Sequence, residues 1–188
     1  MSPFPDTLTG GVVLQSVRPE DEAFLFQVYA STRAEELAQV SWSEEQREAF
    51  LRQQFVAQDK HYRANYPGAE FQIIQADGEA AGRLYVHRRE NEIRIMDIAL
   101  LPDYQRRGIG TMLLEKILAE GADSGKKVSI HVEAFNPALH WYERLGFKKV
   151  AIHGVYHLME WSANSPNFAP GLPTGSAHHS TNADILRS

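Results

Sequence analysis

This 188-residue sequence predicts a mixed α+β fold, with a mostly antiparallel central sheet of about six to seven strands flanked by about four helices. Three observations predict it. Two helical stretches follow one short strand. A meander of strand-like runs joined by polar turns comes next. An apolar strand then leads into an alternation of helix, strand, helix and strand pair.

Val12 to Arg18 reads as the first strand, stopped by Pro19. Glu20-Asp21-Glu22 supply the acidic first turn of a helix whose apolar face carries Phe24, Leu25, Val28 and Tyr29. Ser43, with Glu44-Glu45-Gln46 behind it, is a capping signal for a longer helix through Phe50, Leu51, Gln54, Phe55 and Gln58 toward Pro67. The period then changes to that of strands. Glu70 to Gln75 is one strand, Asp77-Gly78 a hairpin turn, Arg83 to His87 the next strand and Arg88 to Glu92 a polar turn. Ile93 to Leu101 becomes continuously apolar, as a central strand does.

From Gly108 a helix runs to about Ala122, with Ile109, Leu113, Leu114, Ile117 and Leu118 on one face, and Ser124-Gly125 ends it. Val128 to Val132 is a strand. Asn136-Pro137 opens a further helix that Gly146 closes. Phe147 to His153 and Val155 to Trp161 form the last strand pair. The expected organisation is an N-terminal segment over residues 1–10, one domain over 11–162 and a flexible polar tail over 163–188. His178-His179 in that tail reads as solvated rather than metal-binding.

Composition narrows the functional classes. A formal net charge of -5 disfavours a general nucleic-acid binder. The absence of cysteine removes disulfides, thiolate metal sites and a cysteinyl acyl-enzyme, and no metal is expected. No basic n-region with an apolar run opens the sequence, and no stretch approaches ~20 apolar residues. A cytoplasmic location with no membrane partner is the expectation.

The chemistry concentrates on Gln105-Arg106-Arg107-Gly108-Ile109-Gly110, between the apolar strand and an amphipathic helix. Glycines allow close backbone approach, and free amides at a helix start hold phosphate with help from the helix dipole. Arg106 and Arg107 add positive charge, so the loop predicts a pyrophosphate site, with a plain strand-to-helix turn as the alternative. The loop has neither the GxGxxG spacing of a dinucleotide fold nor the lysine of a P-loop.

Ile98 to Thr111 resembles motif A of the GNAT superfamily, Q/R-x-x-G-x-G/A after a strand ending in a proline turn. Asn136 to Phe147, ending Tyr142-Glu143-Arg144-Leu145-Gly146-Phe147, resembles the family's motif B. The resemblance implies the GNAT fold and acetyl-CoA as acyl donor. It also implies that the backbone of Ile98, Ala99 and Leu100 bonds the pantetheine arm. Gln105 and the amides of Arg106, Arg107, Gly108, Ile109, Gly110 and Thr111 then belong to the pyrophosphate loop. Asn136 corresponds to a residue that contacts the cofactor arm, and Tyr142 to the general acid near the sulfur. One departure is the spacing from Asn136 to Tyr142, which is six where the family has seven. Leu145-Gly146-Phe147 anchors Tyr142 in the motif.

The implied function is direct transfer of an acetyl group to a primary amine of a small molecule or peptide. The alternative is a non-catalytic acyl-CoA-binding module or sensor of the same fold. An amine of pKa ~10.4 must lose a proton before attack. Asp97, His131 and Glu133 are the candidate bases, the last two on one face of a strand, with a water chain as their competitor. A backbone amide between Ile98 and Leu100 is the expected oxyanion donor. Glu35, Glu36, Trp42 and Tyr66, with His61 and Tyr62, are expected around the acceptor, and His153, Tyr156 and His157 near it are ambiguous. Dimerisation is common in the family, which adds a homodimer to the expected partners.

Overall fold

The computed structural model describes residues 11–163 and the backbone of residues 182–183. β1 (Val12–Ser16) precedes α1 (Glu22–Leu37) and α2 (Glu44–Asn65). The meander is β2 (Glu70–Ala76), β3 (Glu79–Arg88) and β4 (Glu92–Leu100). Then come α3 (Ile109–Ser124), β5 (Lys127–Glu133), α4 (Leu139–Arg144), β6 (Lys148–His153) and β7 (Tyr156–Trp161). The strands lie in the order β1-β2-β3-β4-β5-β7-β6. All neighbours are antiparallel except β4 and β5, the pair joined through α3. The α+β reading therefore holds.

Local chemistry accounts for the boundaries. Ser43 caps α2 reciprocally: its hydroxyl accepts from the Gln46 amide, and the Gln46 side chain accepts from the Ser43 amide. Asp77 and Gly78 both take positive φ, as a tight two-residue hairpin turn requires. α4 starts at Leu139 rather than at the expected Asn136-Pro137. The Asn136 side chain accepts from the Ala138 amide at 2.8 Å, so residues 136–138 form a turn that delivers the chain to the helix.

Two apolar layers sandwich the sheet. α1 and α2 place Leu25, Tyr29, Phe55 and Tyr62 against Ile73, Tyr85 and Met96. On the other face Leu113, Leu114 and Ile117 of α3, all fully buried, pack on Leu84, Ile95 and Ile130. Burial of each such side chain contributes about 2 kcal/mol. Gly82 allows β3 to lie close against β4: a Cβ there would lie 2.1 Å from the Ala99 carbonyl oxygen.

β4 carries the irregularity that matters. Tyr85 faces Asp97 but Val86 faces Ile95, so Met96 is an extra residue, a β-bulge. The parallel pairing of β4 with β5 covers only Glu92–Ile95 against Lys127–Ile130. Beyond Ile95 the two strands part and leave a gap. There the backbone of β8 (Asn182–Ala183) pairs with Ile98 and Asp97. The expected flexible tail otherwise lies outside the described residues, as do the N-terminal segment and His178-His179. No helix among the described residues is long and apolar enough to cross a membrane.

Candidate active site

The glycine loop leaves β4 through a single 3-10 turn, Pro102–Tyr104. Gln105 donates from its side chain to the Leu100 carbonyl at 2.9 Å, which ties the loop to the strand end. Arg106 and Gly108 both have positive φ, and Gly108 caps α3. The first intrahelical bond of α3 runs from the Met112 amide to the Gly108 carbonyl, so the preceding amides have no acceptor within the helix. They form a donor cluster at the positive end of a 16-residue helix. Arg107 is half exposed and pairs with Asp77 at 2.7 Å.

α4 brings Tyr142 into the core beside this end of β4. The Trp141 indole donates to the Thr111 hydroxyl at 3.3 Å and couples α4 to the first turn of α3. Tyr142 is fully buried, and its hydroxyl has no hydrogen-bond partner among the described residues. Burial first, and Asp97 second, push its pKa up, so the hydroxyl keeps its proton. A buried hydroxyl left unpaired costs about 1–3 kcal/mol, which fits a position that meets a ligand atom.

The three candidate bases differ in surroundings. Asp97 is fully buried and pairs with buried Arg83 at 2.6 Å, and Gln58 accepts from the same Arg83 nitrogen at 3.1 Å. His131 contacts Arg94 through Nδ1. Desolvation, then Arg94 and His153, lower its pKa to about 4, so its ring is neutral at pH 7. With Nδ1 accepting from the guanidinium, the ring proton lies on Nε2, a donor rather than a base. Glu133 is partly exposed, with Arg33 at 3.6 Å and the Tyr156 hydroxyl donating at 3.4 Å.

Glu133 and His131 line a cavity of about 800 Å³ on the α1/α2 face. Tyr66, Glu36 and His61, expected around the acceptor from sequence, line it too, as do His153 and Tyr156, which the sequence left ambiguous. Glu35 is exposed and does not line the cavity, and Trp42 is not in the lining either but meets lining residue Phe50 edge to face at 5.1 Å. Tyr62 is core, its hydroxyl directed to the Met96 carbonyl, and His157 lies outside the lining. Sequence reasoning missed Arg33, Arg94 and Phe135 in the wall. Arg33 was findable: it follows Tyr29 by one helical turn on the buried face of α1. No group of three or more His, Asp or Glu side chains suited to a metal ion is assembled among the described residues.

The sequence profile of the acetyltransferase (GNAT) family matches residues 31–147. The chain belongs to this family. Among curated proteins, this GNAT chain is 39% identical over 69 residues to the [ribosomal protein bS18]-alanine N-acetyltransferase of Salmonella typhimurium, covering 36% of this chain and 47% of that one. It is 32% identical over 78 residues to the uncharacterized N-acetyltransferase CgeE of Bacillus subtilis, covering 40% and 30%. The matches thus span less than half the length of these two relatives. Among solved structures, the PaiA N-acetyltransferase of Thermoplasma acidophilum in complex with coenzyme A aligns with a TM-score of 0.60 at 22% identity, over 80% of this chain and 98% of that one. An acetyltransferase of Thermus thermophilus aligns with a TM-score of 0.58 at 22% identity, over 84% and 99%. At that identity the likeness shows a shared fold.

Proposed function

We propose that this GNAT chain is an acetyl-CoA-dependent N-acetyltransferase that moves an acetyl group directly to a primary amine. The observation that carries the reading is the buried hydroxyl of Tyr142, without a hydrogen-bond partner among the described residues, beside a helix-start donor cluster. The amides from Arg106 to Thr111 hold the pyrophosphate. The β4 edge at Ile98, Ala99 and Leu100 receives the arm that carries the thioester, in place of β8 at Asp97 and Ile98. Asn136 directs its side-chain oxygen to the Ala138 amide and so shapes the turn before α4, from which it contacts the cofactor arm.

Acetyl-CoA supplies an activated acyl carbon: the amine nitrogen bonds to that carbon, and the carbon–sulfur bond breaks. Glu133 takes the amine proton: it lines the cavity partly exposed, whereas Asp97 is buried against Arg83 and the Nδ1 of His131 is turned to Arg94. Tyr142 gives its proton to the departing sulfur. A β4 amide beyond Asp97 donates to the developing oxyanion, a contact worth ~3 kcal/mol.

Tyr142→Phe tests the assignment. Turnover of an amine panel falls by about 10²-fold, the lower range for loss of a general acid. Stabilisation by acetyl-CoA persists, near 2.7 kcal/mol at about a hundredfold excess over the dissociation constant. Undiminished turnover in the variant, or a parent protein whose melting is untouched by acetyl-CoA, refutes it.

A further inference from the structure

The acceptor cavity has two chemical ends. Toward α1, Glu36 and Glu133 flank Arg33, whose Nη1 is 3.1 Å from Glu36 and 3.6 Å from Glu133. Toward β4 and β5 the polar groups are Arg94, 8% exposed, and the rings of His131 and His153, 5.6 Å apart. The Arg94 guanidinium gives this end its positive charge, while desolvation and then Arg94 hold His131 neutral. Phe50, Tyr66, Phe135 and Tyr156 add apolar surface to the lining. A volume of about 800 Å³ suits a drug-sized molecule.

We propose that the acceptor is a small aminocarboxylate with an apolar or aromatic body, its carboxylate read by Arg94 and its amine delivered to Glu133. This rests on the acetyltransferase reading above and narrows its substrate. A cationic polyamine would bring further positive charge to the nearly buried Arg94, where like charge is penalised. An amine with no anionic group would make no use of the Arg94 charge. An aminocarboxylate complements both ends, because a planar guanidinium matches a carboxylate in two parallel bonds. Arg33, already shared between two carboxylates, keeps Glu133 in place for the amine.

Phenylalanine, phenylalaninamide and phenethylamine share one aromatic body and differ at the carboxylate, so they make the test. The expected kcat/KM for phenylalanine exceeds that of the other two by about tenfold to a hundredfold. In Arg94→Gln the ratio of phenylalanine to phenethylamine collapses toward one, whereas Arg94→Lys retains part of it. If Arg94→Gln does not fold, the parent decides through binding of products: N-acetylphenylalanine raises the melting temperature and N-acetylphenethylamine does not. Equal kcat/KM for the three amines, or equal stabilisation by the two products, overturns the inference while leaving the acetyltransferase reading intact. Turnover of none of the three, with stabilisation by N-acetylphenylalanine alone, overturns the transfer reading for these amines and keeps the carboxylate site.

Discussion

Asp97→Asn separates a structural carboxylate from a catalytic one. The substitution keeps shape and removes charge. Asp97 and Arg83 are 0% and 1% exposed at the side chain, so their 2.6 Å contact is shut off from water on both sides. Removing one partner strands the other in a low-dielectric core, which costs roughly 3–5 kcal/mol; the remaining amide and Gln58 still accept from the guanidinium, so about 3 kcal/mol is expected. At roughly 2–4 °C per kcal/mol for a domain of this size, the melting temperature falls by roughly 6–12 °C. Scanning calorimetry on parent and variant measures it, with an Arg83→Met, Asp97→Leu double variant recovering much of the loss. Melting of Asp97→Asn within ~1 °C of the parent, together with abolished turnover, would refute the argument and return Asp97 to the role of base.

Two other predictions come from neighbouring contacts. His131 has its pKa lowered from 6.5 to about 4, so the unfolded chain binds its proton first as pH falls; stability is full above about 6.5 and declines toward about 4. Imidazole resonances of His131 then titrate well below 6.5, and His131→Asn flattens that limb of the stability curve. Asn182 and Ala183 pair with Ile98 and Asp97, so β8 overlaps the β4 edge assigned to the pantetheine arm at Ile98; Ala183→Pro, which removes a strand amide, therefore lowers the KM for acetyl-CoA, and an unchanged KM counts against competition there.

Much of the frame could be read from the residues because local signals and burial agree. The Ser43 cap, the Asp77-Gly78 turn and the apolar periodicity of α3 each determine structure within a few residues. The glycine loop was legible for the same reason, its chemistry being backbone amides at a helix start. The cavity wall was legible only in part. Arg94 read as an ordinary charged residue of a strand, and only the meeting of α1, α2, β4 and β5 brings it into one cavity with Arg33. Asp97 looked available because a sequence does not display Arg83, which comes to it across the β3–β4 pairing.

The extra residue in β4 bears on how this sheet could have come to hold a ligand. Ile93, Ile95, Ile98 and Leu100 pack toward α3, while Arg94, Met96 and Asp97 lie toward α1 and α2. Excising Met96 would restore strict alternation and leave each of the others on the face it now occupies. Side-chain packing therefore does not require the bulge. Its effect is to bend one strand away from its neighbour halfway along, so the slot is an addition of a single residue to a sheet that would be complete, and closed, without it.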